Sequence, residues 1–391
     1  MSAPLCLLPL WKKTLKNTVV ILRVDYNSVN ITNTTGLRRI TETLPTINFL
    51  LLYGATIVLI THQGRPKRPS QKLSTKKYVS WFIQQGYTAL FAANLEQVQT
   101  ALKNNVKGII ILENIRFFPE ETACSLAFAQ QLKNLGDYFV QDAFATLHRN
   151  ETSITLLPTL FEPHRRSIGF LVEKEITMLN IFIQRTAQPF VMLQGGNKIA
   201  TKLPILEEFL PRIETLLLST PLCFSFLKIL DQSLGVSSYE LSTEQTAQHI
   251  LNKAHKKNVA VILPQDFIVA QGTLQHPEAV EVTKKVKDNQ IILAPGPETI
   301  DLFCKKISQA KTIFINGLPG LLHCKSTLSS TKKLLESIAQ SSAYTLIAGG
   351  DTLALVEALG FEKLKHLSTG GGATLTYLSK QTLVGLLPFV R

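Results

Sequence analysis

The stretch TVVILRVDYNSVN, Thr18 to Asn30, decides how the rest of the chain is read. Val19, Val20, Ile21 and Leu22 are apolar without interruption, as in a strand covered on both faces. From there Arg23, Asp25 and Asn27 alternate with Val24 and Tyr26, so one face turns polar while the other stays apolar. In open α/β sheets, ligands bind in the crevice beyond the carboxyl ends of the strands. A buried strand ending in charge therefore predicts a parallel-sheet protein with a ligand at that end.

Working outward, short apolar runs alternate with helical patterns. The first half offers VVILRVDYN, ATIVLITH, YTALFA, GIIILENIRF and YFVQDAF, with TETLPTINFLLLY and SLAFAQQLKNL among the helical segments between them. The second half offers PFVMLQGG, TLLLS, VAVILPQD, KTIFING, YTLIAGGD and HLSTGGG. Strand and helix in turn imply parallel sheets with helices on both faces. At 391 residues the chain is long enough for two domains. The break falls near GFLVEKEI, Gly169 to Ile176, where a charged helix follows the turn-rich LLPTLFEPHRRS. The predicted class is α/β: two doubly wound (Rossmann-like) parallel-sheet domains, residues 1–172 and 173–375, joined by an interdomain helix.

Five cysteines show no CxxC pairing, and the N-terminal APLCLLPLW has no basic residue before it. Both suit reduced thiols in a cytoplasmic protein without a signal peptide. The longest apolar stretch, INFLLLYGATIVLI, is too short to span a bilayer and is broken by Gly54, so no membrane is expected. The net charge of +13 is spread over WKKTLK, GRPKRPSQK, NKAHKKN and TKKVK. These runs read as solvated surface, and no nucleic-acid-binding signature accompanies them. A basic cleft would steer small, multiply anionic substrates inward.

The strand ends of the first half deliver polar groups repeatedly. They are Asp25 and Asn27, then His62 and Arg65 in THQGRP, Arg116 in ENIRF, and Asp142, His148 and Arg149 in QDAFATLHR; Arg39 opens the helix RITETLPTI. Several guanidinium and imidazole groups at one sheet edge repel unless something anionic lies among them, and Arg is the preferred fork for phosphate and carboxylate. This edge reads as a pocket for a small molecule bearing both groups. The second half offers backbone instead. GGNKIATK (with Lys198 and Lys202), AGGDT (Gly349, Gly350, Asp351, Thr352) and STGGGA (Gly370 to Gly372) each follow a strand and open a helix. That geometry aims N–H groups and a positive helix end at phosphate oxygens. Three such turns point to a nucleotide with its metal, and none is a P-loop.

Taken in order and spacing, RVDYN, RITETLPTI, THQGRPK, LENIRF, QDAFATLHR, GFLVEKE, GGNKIATK, INGLPG, AGGDT and STGGGA resemble phosphoglycerate kinase along essentially the whole chain. The resemblance implies a bilobal, hinge-bending monomer of glycolysis that moves a phosphoryl group between 1,3-bisphosphoglycerate and ADP. Its lobes would close over the cleft to exclude water, with a C-terminal tail, 376–391, returning toward the N-terminal domain. It implies that Asp25, Asn27, Arg39, His62, Arg65, Arg116 and Arg149 bind 3-phosphoglycerate. Lys198, Lys202, Asn316, His323 and Gly349 to Thr352 would bind ATP or ADP, with Asp351 directed at Mg²⁺. Arg39, Lys202 and Gly371 would stabilise the transferring group. A carboxylate nucleophile is already ionised, so positioning and charge neutralisation suffice for catalysis.

The chain departs from the family pattern on the nucleotide side. Ser219, Thr220 and Pro221 replace a glycine triplet, Leu318 a proline, His323 a ribose-binding glutamate, Ala348 a glycine, and APGP (Ala294 to Pro297) a DIGP turn. An altered nucleoside preference follows as an expectation. Two other readings are a catalytically impaired kinase-shaped binding protein and a basic nucleic-acid-associated protein.

Overall fold

The computed structural model describes residues 6–27, 29, 31, 36–196, 199–364 and 366–390. The chain divides into two compact units, Met1–Leu179 with Lys380–Arg391, and Asn180–Ser379. The division falls inside the helix Phe170–Arg185.

The first unit is built on six strands: β1 (Val19–Val24), β2 (Thr56–Ile60), β3 (Ala89–Ala92), β4 (Ile109–Leu112), β5 (Tyr138–Asp142) and β6 (Arg166–Ile168). All pair in parallel, in the order β3-β4-β2-β1-β5-β6. β1 is central, with Ile21 in register with Val58 on one side and Phe139 on the other. Its uninterrupted Val and Ile side chains suit that place, because both faces are covered. Val20, Leu22 and Val24 pack with Ile47, Leu50, Ile57, Leu59, Tyr78 and Phe82. Trp11 and Trp81 are buried in the same core. Ser125 caps the helix Leu126–Lys133 by accepting from the Phe128 N–H. β6 was not anticipated: the turn-rich linker contains a strand of three residues, too short to display a period.

The second unit contains β7 (Phe190–Gln194), β8 (Thr215–Leu218), β9 (Ala260–Ile262), β10 (Phe267–Gly272), β11 (Pro277–Thr283), β12 (Ile291–Pro295), β13 (Thr312–Asn316), β14 (Tyr344–Ala348) and β15 (Leu367–Ser368). Six of these form a parallel sheet in the order β15-β14-β13-β7-β8-β9. The expected parallel sheet is present, and beside it β11-β10-β12 make a separate antiparallel sheet that was not anticipated. The sequence hid it for a physical reason. β11 is exposed from Glu278 through Val282, so no buried face imposes an alternation on it.

In each parallel sheet the strand order reverses beside the first strand of the unit, between β1 and β5 and between β7 and β13. Such reversal points are where doubly wound sheets open a crevice at their carboxyl ends. Among the described residues, no helix is long and apolar enough to cross a membrane.

Candidate functional site

At the carboxyl end of β1, the Asp25 carboxylate receives the Asn27 N–H at 3.0 Å and pairs with the Arg39 guanidinium. Its Oδ1 also lies 3.6 Å from His62 Nδ1. Burial pushes the Asp25 carboxyl up, but Arg39, His62 and the Asn27 N–H outweigh it and hold the group down at about 2. His62 is fully buried, and neither ring nitrogen has a hydrogen-bond partner. Burial holds its pKa well below the ordinary value despite the pull of Asp25, so the imidazole is neutral at physiological pH. A buried imidazole with both nitrogens unspent suits a hydrogen-bonding ligand.

Backbone stitching positions these groups. Asn27 Oδ1 accepts from Gly64 N at 2.8 Å, tying the end of β1 to the loop after β2. Asn114 joins that loop to the end of β4: its Oδ1 accepts from Gln63 N and Arg116 N, and its Nδ2 donates to Gln63 O. Arg116 Nη1 then donates to Gly64 O at 2.8 Å, while Nη2 donates to Glu151 Oε1 at 2.5 Å. Arg149 Nη1 reaches the same Glu151 oxygen at 3.5 Å. The structure thus gathers Asp25, Asn27, Arg39, His62, Arg116 and Arg149. Arg65, next to Gly64, is exposed.

Sequence reasoning missed the anions here. The mutual repulsion of the arginines, which argued for a ligand, is met by Glu151 and Glu121 of the chain itself. Arg23, on the polar side of β1, is fully buried. It donates to Ser153 Oγ at 2.7 Å and lies 4.0 Å from Glu121 Oε1. Ser153 in turn donates its N–H and hydroxyl to Glu121. Asp142, another polar strand end, is committed elsewhere: it accepts from Val172 N at 3.1 Å in the first turn of the helix Phe170–Arg185. Burial pushes its carboxyl up to about 7.

In the second unit, the glycine turns after β7, β13, β14 and β15 lie against one another at the carboxyl ends of the strands. Gln194 Nε2 donates to Asn316 O and Oδ1 at 2.7 and 2.9 Å, and Asn316 Nδ2 donates to Ala348 O. Gly317, at φ +106°, approaches Gly195 so closely that a Cβ would fall 2.4 Å from its backbone. Gly349, at φ +109°, precedes the helix Gly350–Ala358, and a Cβ on Gly371 would lie 3.4 Å from its Cα. At Gly317 and Gly349 the positive φ favours glycine, and at Gly317 the close approach leaves no room for a Cβ. Lys202 Nζ donates to Gly195 O at 2.5 Å, and Thr352 Oγ1 accepts from Gly317 N at 3.0 Å. Lys198 lies outside the described residues.

Two departures from the family pattern have a structural counterpart. Ser219 and Thr220 are buried, and Ser219 Cβ lies 3.1 Å from where a Cβ on Gly195 would fall, so a side chain stands beside the Gly195 turn where the family pattern has bare glycine. His323 is exposed and hydrogen-bonds through Nε2 to Leu274 O at 2.6 Å, in the turn between β10 and β11. A carbonyl only accepts, so Nε2 carries a proton, and in the neutral ring that leaves Nδ1 as the one acceptor.

Among the described residues, no group of three or more His, Cys, Asp or Glu stands ready to hold a metal ion. Asp351 is a single exposed carboxylate in the first turn behind Gly349. One carboxylate beside these glycine turns would suit a Mg²⁺ ion carried on the phosphates of a nucleotide, since such an ion needs only one or two protein carboxylates.

Residues 11–381 match the sequence model of a family described as phosphoglycerate kinase. The phosphoglycerate kinase of Dictyoglomus turgidum is 34% identical over 389 residues, covering 97% of each chain. That of Aquifex aeolicus is 33% identical over 388 residues, covering 95% of this chain and 96% of its own. Among solved structures, the phosphoglycerate kinase from Pyrococcus horikoshii OT3 superposes with a TM-score of 0.81 at 26% identity, with 96% of each chain covered. That from Coxiella burnetii superposes at 0.72 with 29% identity and the same coverage.

Proposed function

The chain belongs to the phosphoglycerate kinase family of phosphotransferases, and on that premise we propose that it reversibly transfers the acyl phosphoryl group of 1,3-bisphosphoglycerate to ADP, giving 3-phosphoglycerate and ATP. The first unit holds the glycerate, and the observation that carries this is the buried, neutral His62 with two unspent nitrogens beside the Asp25–Arg39 pair. Asp25 and Asn27 orient the hydroxyl, and Arg65, Arg116 and Arg149 take the anionic ends. The second unit holds the nucleotide. Its converging glycine turns and Lys202 face phosphate oxygens, and Asp351 would hold Mg²⁺, which supplies charge neutralisation when bound.

No general base is needed, since the glycerate carboxylate is ionised at neutral pH. Catalysis then rests on positioning and on donors placed where charge develops, with Arg39, Lys202 and the Gly371 N–H in that role. Asn316 and Thr352 shape the turns. The fully thiol cysteines support a reducing, cytoplasmic setting, and the enzyme acts as a monomer in this reading.

The base and ribose are recognised differently from the family pattern, because Ser219 and Thr220 bring side chains where that pattern has glycine and His323 offers one acceptor. A coupled turnover assay tests the activity, with Arg39→Ala as the inactive control; turnover no higher than that control would refute it. Calorimetric titration with ADP, GDP and IDP tests the nucleoside. Adenine-selective binding unchanged in His323→Glu would refute the altered preference.

A further inference from the structure

We propose that Glu151 is a built-in counter-ion, which an incoming anion must displace and which thereby sets the affinity of the Arg116–Arg149 cradle. This rests on the reading of that cluster as the glycerate half-site. Glu151 is buried among cations, with Oε1 at 2.5 Å from Arg116 Nη2 and 3.5 Å from Arg149 Nη1. A carboxylate shared by two guanidiniums stands where a substrate phosphate or carboxylate would stand.

The arrangement leaves capacity unspent on both sides. Glu151 Oε2 is buried without a hydrogen-bond partner, and so is Arg116 Nε. The two arginines are held unequally. Arg116 is buried and also bonded to Gly64 O, whereas the Arg149 side chain is 22% exposed and makes the longer contact. Arg149 is therefore the side from which an anion enters. The backbone two residues on is anchored, since Ser153 gives Glu121 its N–H at 2.9 Å and its hydroxyl at 2.6 Å. Exchange then requires the Glu151 side chain to turn away while the segment stays in place. Binding is weakened by the fraction of time the carboxylate occupies the cradle.

The test compares the full chain with Glu151→Gln, which keeps an acceptor oxygen and loses the charge, and with Glu151→Asp, which keeps the charge. Calorimetry with 3-phosphoglycerate and with inorganic phosphate reads the affinity. Glu151→Gln should bind both about tenfold more tightly, the scale on which charge partners act at an interface. Its KM for 3-phosphoglycerate should fall without a rise in kcat, and Glu151→Asp should stay near the parent. Equal or weaker binding of 3-phosphoglycerate by Glu151→Gln than by the parent would overturn the counter-ion role and leave the kinase reading intact. Tighter phosphate binding with no 3-phosphoglycerate binding by either protein would keep the counter-ion and remove the glycerate assignment. Should the variant melt lower, saturating phosphate must raise its Tm by more than that of the parent, and an equal rise overturns the proposal.

Discussion

Arg39 Nη1 donates to Asp25 Oδ2 across 14 residues of chain, so the carboxylate fixes the guanidinium before any ligand arrives. The other Asp25 oxygen is shared by the Asn27 N–H and, at 3.6 Å, by His62. Replacing Asp25 by Asn removes the charge that aims Arg39 and keeps the size. Turnover should fall by about a hundredfold, the scale of losing one preorganised charge-stabilising group. Coupled assays at saturating substrate, with circular dichroism to confirm folding, read this out; a loss of less than about threefold would contradict the role given to the pair.

Acid should expose the same pair. The folded pKa of Asp25, about 2, lies below its ordinary value of 3.8. Its contribution is thus complete above about pH 4 and is lost as pH falls through about 2. The amount is roughly 2–3 kcal/mol, at about 1.4 kcal/mol per unit. Urea midpoints of the parent and Asp25→Asn, followed from pH 6 down to 2, should converge at the acid end.

Asp142 should behave in the opposite sense. Its folded pKa is raised to about 7 from 3.8, so between those values the folded state binds the extra proton. Stability therefore declines as pH climbs from about 4 to about 7 and is flat above that, for this group alone. Asp142→Asn retains an oxygen for the Val172 N–H and removes the buried charge. Its Tm should exceed that of the parent at pH 8, and the difference should vanish near pH 4. A variant that is less stable at both pH values would show that the carboxylate is needed as such.

Glu121 and Arg23 form a fully buried pair bridged by Ser153. Burial pushes the Glu121 carboxyl up and the Arg23 guanidinium down, each against the attraction of the other. Glu121→Gln strands a buried cation and should cost about 3–5 kcal/mol in urea unfolding. The double replacement Arg23→Met with Glu121→Leu should recover most of that loss, because two desolvated charges are removed together.

Ser219 Oγ is buried with no hydrogen-bond partner, beside Gly195. Ser219→Ala removes an unsatisfied hydroxyl at almost no change in volume. The ligand-free protein should gain about 1 kcal/mol, measured by urea midpoint at constant slope. A loss of stability would show that the hydroxyl is satisfied in solution.

Much of this was legible in the chain because the signals are local. β1 to β5, β7, β8, β13 and β14 show as largely apolar runs, as suits strands with helices on both faces, while β15 is only Leu367–Ser368 and is marked by the glycine turn after it. Of the strands that escaped, β10 and β12 are buried apolar runs that a regular alternation of strand and helix passed over, and two others were short or unburied. β6 has three residues, and β11 has solvent around its central side chains, so neither carries a period. At the candidate site, the cations were readable because each lies in the segment between its strand and the next long helix. Asn114 was not, although it ties Gln63 to Arg116, because an asparagine in a loop has many uses and only its partners select one.

By itself, the sequence determined the two parallel-sheet units, the polar endings of their strands and the glycine turns that open helices. These follow from side-chain volume, hydrophobicity and backbone freedom over a few neighbouring residues. Only the tertiary structure decided which charges are already answered: Arg23 by Glu121, Arg116 and Arg149 by Glu151, and Asp142 by the N–H of Val172. The reason is electrostatic. A group's charge state and availability depend on everything within a few ångströms of it, and for a buried side chain those neighbours come from distant parts of the chain.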